Sequence, residues 1–290
     1  MNVTLICLPF AGASAAIYRE WGALLPSWIR IHALDLPGHG ARRAQPALHR
    51  WPDVADALGR EALRAIEGPF AIFGYSMGAL AGLELAHWLR ATHGLMPVWF
   101  GAAACAAPAC RTLDATWLDC TDEAMIDELR RLGATPAELL GDRGFLDLAL
   151  PVLRADFHLC ATYVRTGNAA RAPLVCPLLA LGGRDDTLSE RLENFSAWTH
   201  ETSGWFTQRM FDGGHFFIDT ARAELIEAIV TSLAATSTPT STPKAPANSL
   251  PHAGVAHLRA VSTGAIRPSA VSRTASTDSA GAAGPRSFHS

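Results

Sequence analysis

A serine attacks a carbonyl only when its hydroxyl stands clear of the surrounding backbone and a base takes its proton. Gly74-Tyr75-Ser76-Met77-Gly78 meets the first condition, because it follows a short apolar run, Phe70 to Phe73, and leads into a stretch with apolar residues at helical spacing. A serine on a tight strand-to-helix turn presents Oγ above the strand end, and the flanking glycines are needed because strand and helix crowd that turn. The helix N-terminus adds positive potential where a tetrahedral oxyanion would form. Five residues alone are a weak signal; the apolar run before them and the helix after them give the motif its weight.

The base must come from eleven histidines. His252, His257 and His289 lie in a C-terminal low-complexity stretch, and His87 and His93 lie on or just after the helix that follows Ser76. His215 is best placed, in the glycine-rich segment Phe211-Asp212-Gly213-Gly214-His215-Phe216-Phe217 directly after the last expected strand, where a side chain reaches over the carboxyl edge of a sheet. A carboxylate is needed to orient the imidazole, and Gly182-Gly183-Arg184-Asp185-Asp186 supplies two. Spacing does not choose between Asp185 and Asp186, and only one can face His215 because residues alternate sides at a strand end. The oxyanion needs two backbone donors. The Met77 amide is one, and the loop Leu8-Pro9-Phe10-Ala11-Gly12-Ala13-Ser14 offers the amide of Phe10 or Ala11 as the second.

These residues need a frame that brings Ser76 and His215 together with Asp185 or Asp186 and with the amide of Phe10 or Ala11. Apolar runs at 3–8, 29–34, 69–73, 97–104, 177–182 and 205–211 predict strands, and the stretches 14–25, 51–66, 78–92, 189–200 and 221–234 predict helices between them. That alternation predicts an α/β class, a mostly parallel sheet with helices on both faces. It breaks between Cys105 and Val175, where helices around 122–132, 135–140 and 144–165 have no strand among them. This stretch, about 105–175, is expected to be a helical lid inserted into the domain. The serine–acid–histidine order along the chain is that of the α/β-hydrolase architecture.

Composition bounds the rest. The 290 residues carry 24 Lys+Arg and 27 Asp+Glu, with no electrostatic footprint for nucleic acid. From Thr236 onward, 38 of 55 residues are Ser, Thr, Pro, Ala or Gly, and the segment carries a net +4, leaving −7 on residues 1–235. Such a segment does not bury enough apolar surface to offset its ordering entropy, so 236–290 is expected to be a disordered tail behind a single domain at 1–235. The longest apolar run, Trp99 to Cys110, is too short to span a bilayer and contains Pro108. With no basic segment before Val3, no secretory signal is read and a cytoplasmic protein is expected. The six cysteines form no C-x-x-C pair and no metal-ligand spacing, so no metal is expected.

Several phrases together resemble the stand-alone type II thioesterases that accompany nonribosomal peptide and polyketide synthases. They are LPFAGAS at 8–14, LDLPGHGAR at 34–42, FGYSMGAL at 73–80, DELRRLGATPAELL at 127–140, LPVLRADFHLCATY at 150–163 and FDGGHFFI at 211–218. The elbow alone says serine hydrolase; the lid phrases, above all Arg154-Ala155-Asp156-Phe157, narrow it. Arg154 and Asp156 are expected to hold the lid by pairing with other residues, since positions two apart on a helix do not face each other. One departure stands beside the oxyanion loop, where Ala13 replaces a glycine usual in the family. The resemblance implies the triad Ser76, Asp186 and His215. It also implies hydrolysis of acyl groups from the phosphopantetheine arm of acyl or peptidyl carrier proteins, with no metal or diffusible cofactor. A monomer is the default expectation. The same residues are compatible with a small-molecule esterase, and a non-catalytic carrier-binding protein is a third reading.

Overall fold

The computed structural model describes residues 2–133, 135–164 and 171–236. The stretch 237–290, expected above to be a disordered tail, lies outside the described residues, as do 165–170 within the expected lid. Six strands form one sheet: β1 (Val3–Leu8), β2 (Ile29–Ala33), β3 (Phe70–Tyr75), β4 (Phe100–Ala103), β5 (Leu178–Gly183) and β6 (Phe206–Phe211). Their order is β2-β1-β3-β4-β5-β6, and every neighbouring pair is parallel. Strands β1, β3, β4 and β5 are buried along their whole length, which is why they read as unbroken apolar runs.

The helices are α1 (Trp21–Leu24), α2 (Trp51–Ala62), α3 (Met77–His93), α4 (Asp122–Leu132), α5 (Ala137–Leu140), α6 (Arg143–Thr162), α7 (Glu193–Ser196), α8 (Phe217–Thr220) and α9 (Arg222–Ala235). One apolar core lies between the sheet and α2 and α3, built on residues such as Ile72, Leu58 and Leu83. A second lies on the opposite face under α9, where Trp21, Phe73 and Ile229 meet. Between β4 and β5 the described residues contain helices and no strand, and α4, α5 and α6 share a small core of their own around Met125, Leu140 and Leu153.

Two expected helices are broken. Residues 14–25 fold as a 3-10 turn, Ala15–Tyr18, followed by the single turn α1, and the chain leaves α1 at Leu25 in extended conformation before Pro26. Residues 189–200 fold as a 3-10 turn at Thr187–Glu190, then α7, then a second 3-10 turn at Ala197–Glu201. Side chains there donate to backbone carbonyls in place of helix amides: Ser189 Oγ donates to the Gly183 carbonyl at 2.5 Å and Asn194 Nδ2 to that of Leu188 at 2.8 Å.

Candidate active site

Ser76 sits between the end of β3 and the start of α3 with φ 53° and ψ −119°. A non-glycine residue at positive φ costs on the order of 1–3 kcal/mol and persists only where its neighbours fix it. Here the Ser76 amide donates to the Ala103 carbonyl at 2.8 Å, and its own carbonyl accepts from the Ala79 amide at 2.9 Å. A Cβ on Gly74 would strike the Gly78 carbonyl, and one on Gly78 would strike the carbonyl oxygens of Leu8 and Pro9. The two glycines therefore let α3 lie against both its own strand and the end of β1.

That contact brings the 8–14 loop to Ser76. Among the described residues the amides of Phe10, Ala11 and Met77 donate to no protein acceptor. Next along the loop, the Gly12 amide donates to Asp156 Oδ2 at 2.7 Å, and Gly12 takes φ 77°, a conformation open to glycine. The loop thus presents two unpaired amides at Phe10 and Ala11, and its register is fixed from α6.

His215 follows β6 by four residues and lies over the sheet edge. Its Nδ1 is 2.8 Å from Asp186 Oδ2 and its Nε2 is 3.0 Å from Ser76 Oγ. With Nδ1–H donating to the carboxylate, Nε2 is left to accept from the serine hydroxyl. Asp186 is buried and its Oδ1 also accepts from the Leu188 amide at 3.1 Å. Asp185 is exposed, and its side chain does not join this set. Its backbone holds the loops together, the Asp185 amide donating to the Gly213 carbonyl at 3.0 Å.

Tyr75 is a site residue that sequence reasoning missed. Its hydroxyl donates to the His215 carbonyl at 2.5 Å and accepts from the Ile218 amide at 3.2 Å, so the residue before Ser76 pins the loop that carries His215. Burial pushes the phenol well above its ordinary pKa, which keeps it a hydrogen-bond donor. A tyrosine in the elbow carries no periodic signal that would have marked it.

The insertion is tied to the sheet by a buried pair. Asp156 and His39 have side chains only 2% and 3% exposed, and Asp156 Oδ2 is 2.8 Å from His39 Nε2. His39 Nδ1 faces the Pro37 carbonyl at 3.2 Å, so an imidazolium satisfies both partners as donor. Burial opposes that charge, but the hydrogen bond and charge of Asp156, with help from the Pro37 carbonyl and Asp35, outweigh it and hold His39 above the ordinary histidine pKa. Arg154 points elsewhere, to the Cys120 carbonyl at 2.5 Å and to Asp122. Both lid residues therefore find separate partners, as their spacing of two required.

The thioesterase domain family model matches residues 3–233. The chain belongs to the thioesterase domain family. This thioesterase is 33% identical over 226 residues to the gramicidin S biosynthesis protein GrsT of Aneurinibacillus migulanus, covering 78% of this chain and 87% of that one. It is also 33% identical over 218 residues to thioesterase PikA5 of Streptomyces venezuelae, covering 75% and 76% of the two chains. Among solved structures it is similar to ClbQ from the colibactin nonribosomal peptide/polyketide pathway, with TM-score 0.74, 27% identity and coverage of 81% of this chain and 98% of that one. The type II thioesterase YbtT from the yersiniabactin pathway gives TM-score 0.73 at 26% identity, covering 82% and 95%.

Proposed function

We propose that this thioesterase hydrolyses acyl groups held as thioesters on the phosphopantetheine arm of carrier proteins in nonribosomal peptide or polyketide synthesis, freeing blocked carriers. The observation that carries the reading is the unbroken hydrogen-bond relay from Asp186 through His215 to Ser76, in a chain whose relatives include type II thioesterases of such pathways. Ser76 Oγ attacks the thioester carbonyl as His215 Nε2 takes its proton. Asp186 holds the imidazole in the right tautomer and stabilises its charge. The amides of Met77 and of Phe10 or Ala11 receive the oxyanion. The pantetheine thiol, with a pKa near that of cysteine at about 8.5, leaves with little help from an acid. Water activated by His215 then releases the acyl group from Ser76. The reading requires neither metal nor diffusible cofactor, and takes the protein to act as a cytoplasmic monomer.

The test is mass spectrometry of an acetyl- or propionyl-loaded carrier protein incubated with wild type or Ser76→Ala, beside a p-nitrophenyl ester of the same acyl group. Loss of the acyl mass with wild type only, at a higher kcat/KM than for the free ester, is the expected result. Cleavage of the ester with the carrier left loaded would replace this reading with that of a small-molecule esterase. No turnover of either substrate would leave a carrier-binding protein.

A further inference from the structure

The cavity over Ser76 is far larger than an acetyl group requires. It has a volume of about 840 Å³. At about 30 Å³ per water-sized group, that is room for roughly twenty-five to thirty such groups. Much of its wall comes from the insertion: Leu139 of α5 and Phe145, Leu148 and Val152 of α6 all line it. The α6 residues are spaced by three and four, so one face of that helix is turned to the cavity. Leu148 is 79% exposed and Leu139 38%, so these side chains have little cover from the protein's own core. Large aliphatic groups in a concave wall, left this open, gain by covering an apolar ligand.

With one exception at Arg111, the polar groups considered in the same wall are engaged or uncharged. Glu128 and Arg131 pair with each other, and Arg111 donates from Nη2 to the Cys160 carbonyl at 2.7 Å in the last turn of α6. Burial pushes the Cys105 thiol up to about 11 and the Cys160 thiol up to about 12, so both are neutral where they face the cavity. Arg111 Nε is buried without a partner, which is the one feature that would favour an acyl group with a terminal carboxylate.

We infer that the cavity selects extended apolar acyl chains, laid along the α5–α6 wall, in preference to acetyl or propionyl. This rests on the reading of Ser76 as nucleophile, and the measurement is arranged so that the two can fail separately. Carrier protein loaded with acetyl, butyryl, octanoyl or succinyl groups is presented to wild type, Leu148→Glu and Val152→Trp, and kcat/KM is compared across acyl groups. Each buried methylene is worth about fourfold, so octanoyl should exceed acetyl by at least tenfold in wild type. Both variants should cut that octanoyl-to-acetyl ratio at least tenfold. Leu148→Glu touches an exposed side chain, so a folded variant is expected even if Val152→Trp fails to fold. A wild-type ratio near or below one, or an unchanged ratio in Leu148→Glu, would overturn the inference. So would a preference for succinyl over butyryl that disappears in Arg111→Met. Binding of octanoyl- and acetyl-pantetheine to Ser76→Ala, followed by calorimetry, provides a readout without turnover, with octanoyl expected to bind at least tenfold tighter. Hydrolysis retained in Ser76→Ala would count against the nucleophile alone, and the binding ratio would then decide the chain-length question.

Discussion

Asp185 and Asp186 share a charge and a turn, yet only the second is buried against the imidazole. Asp186→Asn is expected to lower kcat on the order of 10³- to 10⁴-fold, because an amide at Nδ1 favours the wrong tautomer, while Asp185→Asn should change it little. The reverse ranking in a steady-state assay would reassign the acid. Tyr75→Phe removes the hydroxyl that joins the His215 carbonyl to the Ile218 amide. Leaving those groups unpaired should cost about 1–3 kcal/mol of stability, read by urea denaturation, and kcat should fall with it. Ser76 and His215 were legible because the chemistry demands those residue types beside glycines at a strand end. Spacing did not choose the acid, for which only the family resemblance pointed to Asp186, and it gave no sign of Tyr75, because each depends on which way one side chain turns in three dimensions.

At the scale of elements, β1, β3 and β5 were read to within two residues at each end because burial on both faces leaves an uninterrupted apolar run, whereas β4 begins at Phe100, three residues after the expected start. Helices were less legible where short polar side chains compete for backbone groups, as Ser189 and Asn194 do. The PGHG segment reads in sequence as a turn. In the fold, Asp35 ties it to the turn after β1, accepting from the Ala15 amide at 2.7 Å and the Ala41 amide at 2.9 Å, and His39 docks α6. Breaking that dock by Asp156→Ala leaves a buried histidine without its counter-charge, and the expected loss is about 3–5 kcal/mol in chemical denaturation. A drop under 1 kcal/mol would show that the insertion is held elsewhere. The pair also fixes a pH dependence. His39 has its folded pKa raised above the unfolded value, so its contribution is full below about pH 6.5 and fades as pH rises through the folded pKa. The stability gap between wild type and His39→Gln should therefore be widest in mild acid and narrow towards alkaline pH, a trend that denaturation curves across that range would follow.

For the whole molecule, the far end of the insertion is secured as well. Tyr163 donates to Glu84 at 2.8 Å and Arg171 to the same carboxylate at 2.7 Å, so α6 and the return segment are both bound to α3. Burial works against the Glu84 carboxylate, but Arg171 and Tyr163 prevail and hold it below the usual range. Composition puts the C-terminal boundary of the expected domain at residue 235, and α9 ends at Ala235. Truncation after Thr236 should leave melting temperature and kcat nearly unchanged, and a large fall in either would make the tail part of the working protein. The order of strands has a further consequence, for the chain during its synthesis. The elbow at Ser76 lies between β3 and α3, against β1, all early in the chain, whereas His215 follows β6, the last strand in the chain. Ser76 and His215 are 139 residues apart. At about 5–20 residues per second, a ribosome needs roughly 7 to 28 seconds to cover that interval. If Ser76 is the nucleophile and His215 its base, hydrolysis must await the end of that interval, because until then the nascent chain holds no group placed to take the Ser76 proton.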